Sequence, residues 1–243
     1  MHIWDTFRIA LHPDGCNAIL YFGGIPMTNK TRRLTESAML LAIAIVLELV
    51  SRVLIPPMPF GGQLTIVCML PVVLIAYRHG TRWGFVAAFT YGLIQMALGA
   101  GTVTAAFQPG YFGDGAMIGN ALVMCLLDYV AAYTLLGLGG LFRNRIKRPG
   151  VALSLGSLAA LSARYAAHVL SGYILFSGWA EWFFTQEGFP AWGAGLVARL
   201  SPEMLGFVYS LVYNGMYMIP EMIFTAVAAV LVARVPRIVT KIS

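Results

Sequence analysis

The sequence predicts an all-α integral membrane protein of six transmembrane helices, with both termini in the cytoplasm. Three observations carry that prediction. Hydrophobic residues make up 59% of the chain and charged ones only 11%, where a soluble domain carries about 25% charged residues. Six apolar runs follow one another from residue 36 onward. Basic residues cluster in every second connection between those runs. The period-two alternation of a barrel strand is absent, so helices are the remaining way to satisfy backbone groups in lipid.

Residues 1–26 have mixed polarity, with turn signals at His12-Pro13-Asp14-Gly15 and Gly23-Gly24-Ile25-Pro26. The apolar piece from Ala18 to Phe22 is too short for the core of a signal peptide. Residues 1–26 are therefore expected to be an extension outside the core, and 27–243 the membrane domain. The six segments fall near 36–55, 64–78, 83–101, 117–142, 151–177 and 205–234. A hydrocarbon core about 30 Å thick needs about 20 helical residues, so the second is short.

Charge then sets orientation. Lys30, Arg32 and Arg33 precede the first segment; Arg78 and Arg82 lie between the second and third. Arg143, Arg145, Lys147 and Arg148 lie between the fourth and fifth, and Arg234, Arg237 and Lys241 follow the sixth. The opposite connections carry Arg52 and Arg199 against Asp114, Glu181, Glu187 and Glu203. This is the positive-inside pattern, and it accounts for the net charge of +6 without nucleic acid. Cys16, Cys68 and Cys125 fit no disulfide or metal spacing, and no metal site is expected.

Several polar groups lie inside the apolar runs, where they are costly and mark a pathway or a site. Arg164, His168, Gly172 and Phe176 recur at a four-residue step and form one stripe of the fifth helix. Asp128, beside Tyr129, is a carboxylate in need of a partner: Arg164, a ligand cation or a hydrogen-bond donor. Tyr209 and Asn214 lie five apart on the sixth helix, while Tyr213, Tyr217 and Glu221 step by four. The structural alternative has Arg164 reaching a headgroup and His168 and the tyrosines bonding neighbouring helices. Taken together, a carboxylate, an imidazole, an amide and aromatic rings suit a small, flat, cationic heterocycle. Ala38 and Ala42, small residues four apart, allow another helix to come close. No phosphate-binding loop and no Ser/His/Asp or His-Glu-x-x-His set is present. An enzyme using Asp128, His168 and Glu221 is the alternative from another class.

From Thr35 to about Val232 the chain resembles the thiamine-specific substrate-binding subunits of energy-coupling-factor (ECF) vitamin transporters. The resemblance runs through Thr35-Glu-Ser-Ala-Met-Leu-Leu-Ala42, Leu70-Pro71, Tyr77-Arg-His-Gly80, Asp128-Tyr129, Gly137-Leu-Gly-Gly-Leu-Phe142, the Arg164 stripe and Tyr209-Ser-Leu-Val-Tyr-Asn-Gly215. It implies a six-helix protein of the bacterial cell membrane that binds thiamine at the outer face and catalyses nothing itself. It implies as partners a coupling membrane subunit and two ATP-binding-cassette ATPases, with no cofactor beyond the ligand. By the same resemblance Asp128, Tyr129, Arg164, His168, Gly172, Phe176, Tyr209 and Asn214 bind substrate, and Ala38 and Ala42 dock on the coupling subunit. The family's stacking tryptophan falls on Phe176, with Trp179 nearby. Its lid tryptophan has no counterpart, Phe60 being the nearby aromatic. A thiamine precursor or another vitamin remains the alternative ligand.

Overall fold

A computed structural model describes the backbone of residues 9–10, 19–22 and 25–26, and residues 28–56, 58, 62–113 and 117–241 in full. Phe60 and Asp114 lie outside the described residues, as does most of the expected 1–26 extension. The chain divides into two units, Met1–Met39 and Leu40–Ser243. In the first, three short antiparallel strands, β1 (Ile9–Ala10), β2 (Ile19–Phe22) and β3 (Ile25–Pro26), pair in that order. Helix α1 (Asn29–Leu54) begins in this unit, where the Thr28 hydroxyl accepts from the Thr31 N–H at 3.2 Å. That bond satisfies one of the free donors of the first turn.

The second unit is helical. After α1 the chain returns without regular structure through residues 62–68 and enters α2 (Met69–His79), every residue of which is buried. Gly80, at φ 96°, joins α2 directly to α3 (Thr81–Leu98), a conformation that disfavours any residue with a Cβ. At Gly99 the axis bends by 73° into α4 (Ala100–Ala106). The expected single third helix is thus two, and the last carbonyl of α3, on Leu98, accepts from Arg52 at 3.2 Å.

The fourth segment is the least regular. It runs as α5 (Met117–Met124), a π-helical stretch (Cys125–Ala131), α6 (Ala132–Thr134) and a 3₁₀ stretch (Leu135–Gly140). Gly137, Gly139 and Gly140 lie where a side chain would strike Phe85, Val73 or Ala76, so the glycine run brings this stretch against α2 and α3. Then come α7 (Pro149–Phe176), α8 (Ala180–Thr185), α9 (Trp192–Arg199), α10 (Pro202–Val232) and α11 (Pro236–Val239). Proline stands at the start of α7 and of α10, where its missing N–H costs nothing. Among the described residues, Asn29–Leu54, Met117–Gly140 and Pro202–Val232 are long and apolar enough to cross a membrane, with the bent pair α3–α4 a fourth. The 28-residue α7 is as long but carries Arg164 and His168. The six segments appear in the expected order, and the second supplies only 11 helical residues.

Candidate functional site

A cavity of about 110 Å³ lies between α1, α3, the π-helical stretch, α7, α10 and residues 62–65. All eight residues expected at a site line it: Asp128, Tyr129, Arg164, His168, Gly172, Phe176, Tyr209 and Asn214. The wide turn of a π-helix, a device frequent at functional sites, carries Asp128 and Tyr129. Opposite, the four-residue step of α7 aims its stripe at the same space.

Asp128 is held by α7. His168 Nδ1 lies 2.9 Å from Asp128 Oδ1, and the Ser171 hydroxyl donates to Oδ2 at 2.8 Å. A carboxylate only accepts, so Nδ1 carries the proton, and in a neutral ring Nε2 is left as an acceptor. Nε2 is buried and has no partner among the described residues, at a residue that lines the cavity. An N–H donor on a ligand would complete it.

Arg164 does not meet Asp128. Its Nη1 donates to Glu221 at 3.1 Å and its Nη2 to the Tyr133 hydroxyl at 3.2 Å, with the guanidinium carbon 4.5 Å from the Tyr133 ring centre. Glu221 is fully buried and also accepts from the Thr65 hydroxyl. The Cys68 S–H donates to Glu48 at 3.1 Å, and Glu48 pairs with Arg52 at 3.1 Å. Two runs of partnered polar groups thus lie side by side, Tyr133–Arg164–Glu221–Thr65 and Cys68–Glu48–Arg52, each charge answered by its neighbour.

Asn214 is committed as well. Its amide donates to the His168 carbonyl at 3.2 Å and to the Ser210 carbonyl at 2.9 Å, and its oxygen accepts from the Tyr217 hydroxyl at 2.6 Å. Gly172 makes room for this. A side chain there would collide with the Ser210 hydroxyl and come within 3.1 Å of Asn214 Nδ2. The five-residue offset between Tyr209 and Asn214 needs no irregular helix, since both side chains are buried against one broad cavity.

Phe176 lines the cavity and Trp179 does not; Trp179 packs on Trp182 at 5.9 Å. Tyr111 and Phe112 from the connection between α4 and α5 pack on Phe176 at 6.0 and 5.3 Å. Tyr133, Tyr213, Tyr217, Gln95 and Glu48 also line the cavity and stand outside the expected set. Their signal was present in part: Tyr133 lies four residues beyond Tyr129, and Tyr213 and Tyr217 flank Asn214. Ser171, three residues beyond His168, had the spacing of a same-face neighbour. Ala38 and Ala42 are exposed on α1, beside exposed Met39 and Ile43.

A family model described as "Thiamine transporter protein (Thia_YuaJ)" matches residues 34–192. The chain belongs to the thiamine transporter family. It is similar to the thiamine transporter ThiT of Bacillus subtilis (strain 168), at 31% identity over 204 residues, 80% of this chain and 86% of the relative. A solved structure of ThiT from Listeria monocytogenes has the same fold, with a TM-score of 0.59 at 18% identity, covering 88% of this chain and 100% of that one. Membership of this family, with several apolar helices, makes the chain a multi-pass protein of the bacterial plasma membrane.

Proposed function

We propose that the chain is a high-affinity thiamine-binding subunit of an ECF-type transporter, which captures its ligand at the outer face and hydrolyses no ATP itself. One observation carries the ligand reading. Of the three carboxylates at or beside the cavity, Glu48 is matched by Arg52 and Glu221 by Arg164. Among the described residues, Asp128 is met only by the imidazole and hydroxyl of α7. One carboxylate with no arginine or lysine against it, beside a neutral imidazole, suits a ligand of one positive charge. Thiamine carries that charge on its thiazolium ring, and its aminopyrimidine offers an N–H donor of the kind His168 Nε2 lacks. Phe176, Tyr209 and Tyr213 supply ring faces and edges, each face worth about 0.5–2 kcal/mol to a cation.

The family names thiamine as the cargo of its transporters, which supports the same reading. Alternating basic connections favour cytoplasmic termini and an outward-facing site. Ala38 and Ala42, exposed on α1, would meet the coupling subunit, and two partner ATPases would supply the energy.

Calorimetric titration of the purified chain with thiamine and its phosphate esters tests the proposal. Thiamine is expected to bind well below micromolar concentration, beyond about −8.2 kcal/mol. Binding no tighter than that would sink the assignment. A different heterocycle found by mass spectrometry in the purified protein would redirect it.

A further inference from the structure

We infer that Ser171 is a positioning residue, whose hydroxyl fixes the Asp128 carboxylate for a cationic ligand; this rests on the thiamine reading above. Serine and threonine hydroxyls inside helices ordinarily donate to the carbonyl one turn back. Those at Ser51, Thr90, Thr104, Thr134 and Ser157 do so here. Ser171, only 1% exposed and in the middle of α7, donates instead across the helix interface to Asp128 Oδ2 at 2.8 Å.

The consequence is geometric. Ser171 and His168 are three residues apart on α7 and take one carboxylate oxygen each. Two donors on separate oxygens fix both side-chain torsions of Asp128, which a single donor would leave free to turn. The carboxylate nevertheless keeps 21% of its side chain exposed at the cavity. Its remaining lone pairs are therefore held in place before the ligand arrives, and no ordering is needed on binding. Ser171 itself does not line the cavity, so it acts through Asp128.

The test is a double-mutant cycle on the full chain in detergent, read by calorimetry. Its ligands are thiamine and a neutral analogue with an uncharged thiophene in place of the thiazolium. Ser171→Ala is expected to weaken thiamine about tenfold, as for a lost hydrogen bond to a charged group. It should leave the neutral analogue within about threefold, and should have no further effect in an Asp128→Asn background. Equal losses for both ligands, or equal losses in both backgrounds, would mean packing and overturn the inference. Unchanged thiamine affinity in Ser171→Ala would overturn it too, while leaving the ligand assignment standing. A wild-type chain that does not bind thiamine overturns the assignment, and this inference with it.

Discussion

Arg164 and Glu221 show how a charge is kept inside an apolar bundle. The two are 5% and 0% exposed and lie 3.1 Å apart, and each has a further hydrogen bond, Arg164 donating to the Tyr133 hydroxyl and Glu221 accepting from that of Thr65. Taking one partner from such a pair leaves the other buried and unanswered, which costs about 3–5 kcal/mol. Glu221→Gln should accordingly lower thermal stability in detergent far more than Arg32→Ala, because the Glu36 left behind keeps 24% of its side chain exposed and is served by water. Similar melting temperatures for the two variants would contradict this account. At this scale the sequence was informative about which residues share a face and silent about who pairs with whom. The four-residue step placed Arg164, His168, Gly172 and Phe176 on one stripe. It could not choose between Arg164, a ligand cation and a hydrogen-bond donor for Asp128, since that depends on how far α7 slides along its neighbours.

Between elements, α7 and α10 come close together at the site, and Gly172 permits it. A methyl group there meets the Ser210 hydroxyl and Asn214 Nδ2, and both of those are already bonded, to the Val169 and His168 carbonyls. Gly172→Ala is expected to cost about 1–3 kcal/mol of stability, as overpacking does. It should also weaken ligand binding by moving Asn214. A variant with native melting temperature and native affinity would show that the interface yields. The elements themselves were legible where they are regular. Segments five and six were expected at 151–177 and 205–234 and are helical over Pro149–Phe176 and Pro202–Val232. Hydropathy reports how apolar a stretch is, not how its backbone is wound. The bend at Gly99, the π-helical turn at Asp128 and the unwound approach to α2 therefore left no trace in it.

For the molecule as a whole, the proposed division of labour predicts a separation of binding from uptake. The chain reconstituted alone in vesicles should bind thiamine without accumulating it, and accumulation should require the coupling subunit and its ATPases. Uptake by the chain alone would refute that division. Deleting residues 1–26 is expected to leave binding unchanged, since the cavity is lined by residues from Glu48 onward. Buried α2 adds a consequence of its own. Its first turn follows Thr65 and Cys68, which touch Glu221 and Glu48 at the cavity. At its far end Arg78 donates to the carbonyls of Arg237 and Ile238. Eleven helical residues span about 16 Å, roughly half the hydrocarbon thickness of a bilayer. On the outward-facing reading proposed above, the helix would act as a stopper: a molecule resting on Thr65 would meet a column of packed side chains over the remaining distance.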